Sequence, residues 1–262
     1  MKTVRPQVKQ DRAVRTRRAI LEAAALVFEE YGYDTAKLSD IVNLAKVTKG
    51  ALYFHFDSKE GLAQAVIDAQ NESQPQMRPQ QYKAQEFVDI GMVFSHQLRH
   101  DALMRASARL TLDHAGRGLD RVTPYQTWIE LHVPLLEEAQ RRGELLPNVD
   151  PWIPARLIVG AFAGLNTMSY TLGLDLDAQV SELYTHVMPG VVVPAVAIRL
   201  DTAPGRGARA LYGPQGAHEC RYGCPGGVPP LEGKAPEEAR GAAEGVRAAA
   251  EEARAAAEEI SA

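Results

Sequence analysis

Between Ala45 and Thr48 a helix end and a new helix start lie three residues apart, and that closeness constrains the fold more than any other feature. Upstream, Leu38, Ile41, Val42 and Ala45 recur at helical spacing behind a candidate N-cap, Thr35. Downstream, Thr48 opens a second short helix, Lys49-Gly50-Ala51-Leu52-Tyr53-Phe54-His55, followed by Phe56 and then Ser58-Lys59-Glu60. Two short helices across so tight a turn predict a helix-turn-helix, with the second helix entering a DNA major groove. The composition suits that task. Thr48 supplies a hydroxyl, Lys49 a cation, and Gly50-Ala51 a nearly bare surface that lets the helix sink toward base edges. Tyr53, His55 and Lys59 are placed to reach phosphates on either side.

Charge is distributed accordingly. The whole chain of 262 residues carries a formal −4, but within residues 1–20 seven Lys and Arg face a single acid, Asp11. One end therefore attracts a polyanion while the remainder keeps the protein soluble.

The segment from about Arg17 to Glu60 resembles the N-terminal domain of the TetR family of transcriptional repressors. The wording Ala45-Lys46-Val47-Thr48-Lys49-Gly50-Ala51-Leu52-Tyr53-Phe54-His55-Phe56 is similar above all to the γ-butyrolactone-type autoregulator receptors of actinomycetes. The resemblance implies an all-α homodimer that binds a pseudo-palindromic operator and is released by a small signal, a γ-butyrolactone or a related butenolide or furan, controlling specialised metabolism. A drug- or metabolite-sensing efflux repressor of the same fold is the alternative. Most TetR-like sequences carry Gly where this chain has Lys46. Gly takes a positive φ at no cost, so Lys46 must either accept strain or sit in a turn that does not need it.

The chain is long enough for two domains with a sizeable core. Residues 1–11, with Pro6, read as a flexible basic arm; residues 12–62 form the helix-turn-helix domain; residues 63–200 form a ligand-binding and dimerisation domain. The first helix is expected from about Arg12 to a Gly32 C-cap, and a fourth from the Ser58 N-cap to about Asn71. Apolar periodicity continues through Phe87–Leu98, Leu103–Leu110, Pro124–Arg142, Pro151–Leu172 and from Asp177 to Val187. No alternating strand is evident, and Pro194 argues against one at Val191-Val192-Val193. Residues 201–262, a Gly/Pro-rich stretch and an Ala/Glu/Arg-rich tail, lack apolar surface to anchor them. Deletion of 205–262 is accordingly expected to leave dimerisation and operator binding intact.

Within the second domain Trp128 stands out. In the context Pro124-Tyr125-Gln126-Thr127-Trp128 it matches a Trp that lines the pocket in the resembling receptors, an apolar wall with one N–H donor. Ala163 occupies a place where those receptors often carry a ligand-bonding Thr. Asn166 and Gln64 are the candidate replacement polar groups. Gly160, Ala161, Ala163 and Gly164 either permit close helix approach or leave room for a ligand.

Catalysis is not expected, since no Gly-x-Ser-x-Gly elbow, phosphate loop or His-Glu-x-x-His occurs. His218, Cys220 and Cys224 lack a fourth ligand for a structural zinc site, so neither metal nor cofactor is expected. No apolar run approaches the ~18 residues of a membrane span, and the basic N-terminus has no apolar stretch behind it, which predicts a cytoplasmic protein.

Overall fold

The computed structural model describes residues 4–72, 78–112 and 118–214. These are all-α, and the N-terminal unit follows the helix-turn-helix expectation in outline. Helix α1 (Val4–Thr35) is followed by α2 (Leu38–Leu44), α3 (Lys49–His55) and α4 (Lys59–Glu72). Ile20, Ala24, Phe28, Ile41, Leu52, Leu62 and Ile67 close a first core among these four helices.

Local chemistry sets most boundaries. Gly32 takes a left-handed φ of 73° and breaks α1 near its C-terminal end. Ser58 Oγ accepts from Gly61 N at 3.0 Å and caps α4. Two starts differ from expectation. The helix α1 begins at Val4 rather than near Arg12, so residues 4–11 are helical; Pro6 falls in the first turn, where its missing N–H has no intrahelical partner to lose. Thr35 is the last residue of α1, and the N-cap of α2 is Lys37, without a side-chain bond.

A second core lies among α5 (Lys83–His100), α6 (Ala102–Leu112), α7 (Val122–Arg141), α8 (Trp152–Leu172) and α9 (Leu176–Val187). Pro134 sits inside α7. Asp175, not Asp177, caps α9 by accepting from Asp177 N at 3.2 Å. A 3-10 turn (Met188–Gly190) then leads to α10 (Pro194–Ala197) and α11 (Arg206–Tyr212). Val192 makes one isolated antiparallel bridge to Leu145 rather than a strand. Helix α6 serves both cores: Ala106 and Leu110 belong to the first, Met104 and Ala108 to the second. The first core also runs past Leu62 through Val66 and Ile67, so the division expected at residue 62 cuts a continuously packed helix.

The larger correction is at the C-terminal side. The chain does not become a linker at residue 201. Gln85 holds Asp201 through both its amide ends, at 2.7 and 3.1 Å. Arg206 grips Asp89 with two bonds of 2.7 and 2.6 Å, and Arg209 pairs with Asp201 at 2.9 Å. At Gly207 an added Cβ would collide with the backbone of Met92 and lie 2.8 Å from His96 Cβ. The glycine that reads as a linker residue is what lets α11 lie directly on α5. Cys220, Cys224 and the Ala/Glu-rich tail lie outside the described residues.

Candidate functional site

The turn between α2 and α3 is closed by two bonds: Val47 N donates to Val42 O at 3.2 Å and Lys46 N to Asn43 O at 3.2 Å. This pairing places Lys46 at the left-handed position of a Schellman motif, with φ 54°. Of the two options, the chain takes the strained one; a lysine there costs about 1–2 kcal/mol relative to an unstrained residue.

Thr48 caps α3, its Oγ1 accepting from Ala51 N at 3.1 Å, which leaves the hydroxyl proton available to an outside acceptor. Leu52 is buried against the first core, and this orientation turns Lys49, Gly50, Tyr53 and Phe54 outward. The Lys49 ammonium lies 5.9 Å from the Tyr53 ring centroid, which lays the cation along the exposed face. An added Cβ at Gly50 would meet nothing nearer than Thr48 Oγ1 at 4.0 Å, so nothing inside the protein requires glycine there. His55 is half-buried between Phe54 and Phe56. Lys59 departs from expectation. Its ammonium donates to Asp34 O at 3.2 Å and sits 4.8 Å from the Tyr33 ring, tied to the end of α1. Phe54, 81% exposed, was not among the expected contacts; its signal in the sequence is its place two residues after the buried Leu52.

The second site is a largely apolar cavity of about 70 Å³ lined by residues of α5, α6, α7 and α8. Trp128, Ala163 and Asn166 all line it. Trp128 packs against Phe94 at a centroid distance of 4.4 Å, and Phe94 against Phe162 at 5.2 Å. Gly160 and Gly164 point away, with nothing within 4 Å of either. Together with the exposed Ile153, Leu157 and Met168 they form an apolar stripe along the outside of α8.

Gln64 does not reach the cavity. Its Nε2 donates to Asp68 at 2.9 Å and its Oε1 accepts from Asp120 N at 2.8 Å. Asp120 in turn accepts from Val122 N and Thr123 N at the start of α7. Gln64 thus clasps α4 to the base of the helix that carries Trp128. A residue the sequence reading passed over, His132, lines the cavity one turn after Trp128 and is 2% exposed. Burial pushes its pKa down to about 4.

An exposed recognition helix joined through α4 and α6 to a largely apolar cavity defines a ligand-sensing helix-turn-helix regulator. Comparison with known proteins agrees. The profile of the tetR family of bacterial regulatory proteins matches residues 20–66. The A-factor receptor protein of Streptomyces griseus is 43% identical over 190 residues, covering 72% of this chain and 68% of that protein. The full-length native TylP structure, a tetR regulator from Streptomyces fradiae, superposes with a TM-score of 0.69 at 42% identity, over 76% of this chain and 97% of that one. CprB of Streptomyces coelicolor, solved in complex with its biological operator sequence, gives a TM-score of 0.60 at 27% identity, over 73% and 97% of the two chains. The chain belongs to the TetR family.

No described helix is long and apolar enough to cross a membrane.

Proposed function

We propose that this chain is a cytoplasmic, dimeric repressor whose operator affinity falls when a small γ-butyrolactone, or a related butenolide or furan, enters the cavity beside Trp128. The observation that carries the reading is the cavity itself, lined by aromatic side chains, in a chain 43% identical over 190 residues to an A-factor receptor. The reading assigns Lys49 to a base edge, Thr48 and Tyr53 to phosphates, and Phe54 to apolar contact such as a thymine methyl. His55 is a flanking contact. Lys59 acts through the position of α1 rather than on phosphate. The outer stripe of α8 is the dimer face, with Gly160 and Gly164 allowing close approach of a second copy. A two-fold dimer then spaces its recognition helices to successive major grooves of a pseudo-palindromic operator. No catalytic step, metal or cofactor enters this account.

The test is a gel shift on the chain's own promoter region, titrated with synthetic lactones, butenolides and furans. Release of the wild type by a member of this class is expected. Trp128→Ala should still bind operator yet remain bound at concentrations that release the wild type, because it removes the wall against which the ligand packs. Normal release of Trp128→Ala would place the ligand elsewhere.

A further inference from the structure

The cavity lining is mostly apolar, and of its polar groups one is both fully buried and unpartnered among the described residues. His132 Nδ1 lies 2.6 Å from the Trp128 carbonyl oxygen. A carbonyl only accepts, so in the neutral ring Nδ1 carries the proton and Nε2 is left as a lone pair. That Nε2 is buried and has no hydrogen-bond partner among the described residues. Phe87 meets the ring edge-on at 5.1 Å, and the Trp128 ring lies 6.3 Å from it. A bare buried acceptor loses its hydration without compensation, a loss that a bound donor would recover. Asn166 and Tyr125, also in the lining, are half-buried and retain access to solvent.

We propose that His132 Nε2 is the polar anchor of the cavity and accepts a hydrogen bond from a hydroxyl group on the ligand, whose alkyl portion lies against Trp128, Phe94 and Phe162. The inference rests on the cavity being the signal site and adds a chemical requirement to it. A lactone, ester or furan oxygen only accepts, so a ligand carrying nothing else leaves Nε2 bare. A hydroxyl satisfies it. The receptor therefore selects a hydroxylated member of the class over its deoxy counterpart. Sites built to bond a particular hydroxyl reject the analogue without it far more strongly than apolar pockets distinguish a methylene.

The experiment uses the full chain on its operator and two probes: an alkyl γ-butyrolactone bearing a free hydroxymethyl group, and the same lactone without the hydroxyl. For the wild type, the hydroxylated probe should release operator at a concentration at least about tenfold lower. In His132→Phe that ratio should collapse toward one, with the deoxy probe acting as well as before or better. His132→Gln, which keeps an acceptor, should restore part of the ratio. Melting temperature at neutral pH confirms that each variant is folded, and both probes are compared within one variant, so a general loss of stability does not mimic the result. A wild-type ratio near one, or an undiminished ratio in His132→Phe, overturns the proposal while leaving the signal site intact. Failure of both probes to release or bind the wild type overturns it together with the reading on which it rests.

Discussion

Replacing Arg206 with methionine tests whether residues 201–214 belong to the folded domain. Asp89 is 1% exposed, and its carboxylate receives Arg206 Nε and Nη2 at 2.7 and 2.6 Å and Gln85 Nε2 at 2.7 Å. Methionine keeps the apolar stem and removes both charged donors, so a buried carboxylate is left with a single neutral hydrogen bond. Breaking one side of a buried pair costs about 3–5 kcal/mol, more than the pair itself contributes. For a domain of this size each kcal/mol lowers the melting temperature by roughly 2–4 °C, so a fall of about 6–20 °C is expected. Removing both charges in Asp89→Asn/Arg206→Met should recover most of it. Ending the chain after Pro204 should cost at least as much, because it also strips α11 from the Gly207 contact on α5, whereas ending it after Pro214 preserves every contact described above. Thermal melts by circular dichroism read all four variants. An Arg206→Met melt within about 2 °C of wild type would show that Asp89 finds water, and would restore the view of the segment as a linker.

Two further perturbations follow from the geometry. Gly50→Ala should raise the melting temperature, since alanine gains up to about 1 kcal/mol in a helix and its Cβ meets only Thr48 Oγ1 at 4.0 Å, yet should weaken operator binding in fluorescence anisotropy by tenfold or more; unchanged affinity would show that α3 does not approach DNA at Gly50. His96 and His132 both have pKa values held down to about 4 by burial, against an ordinary 6.5, so below 6.5 the unfolded chain takes up protons that the folded one refuses. Stability should therefore fall as pH drops from 6.5 toward 4, by roughly 2 kcal/mol at pH 5 for His132 and by less for the more solvated His96, and denaturant titrations showing no loss across that window would refute the burial argument.

The sequence was most legible where a fold demands a special residue at one point. Thr48, Ser58 and Gly32 each mark a helix terminus through a local bond or a positive φ, and such signals need no knowledge of what lies across the molecule. Trp128 and Ala163 follow from resemblance and Asn166 from its place one turn after Ala163, and all three share one cavity. What was hidden depends on long-range pairing. Asp89 and Arg206 stand 117 residues apart, and neither carries a periodicity that announces the other. Gly207 reads as a breaker until α5 is beside it. Gln64 was placed in the cavity because its helix runs near it, but its amide is drawn to the backbone at Asp120, a contact created only when α7 is docked. His132 was one of seven scattered histidines; only its spacing from Trp128 put it on the same helix face.

Those long-range contacts also say how a small molecule can act on DNA without touching it. Ala108 of α6 lines the cavity, while Ala106 and Leu110 of the same helix pack with α1 and α4 in the first core. Gln64 adds a second link, from α4 to the start of α7. Further ties hold α6 to α1: Arg105 pairs with Glu29 at 2.6 Å, and Arg109 donates to the Glu29 carbonyl. A ligand that spreads α6, α7 and α8 must therefore either carry α1 and α4 with it or break these bonds. The first outcome changes the separation of the two recognition helices, and the packing of α6 in the first core favours it. The ligand needs only to prefer the spread state, and about 3 kcal/mol of preference lowers operator affinity roughly a hundredfold. By reciprocity, operator DNA must weaken ligand binding by the same factor. Because α4 and α6 are packed into the first core, the transmission is rigid-body in character, and α3 keeps its cap at Thr48 and its buried Leu52 while its position on the operator is lost.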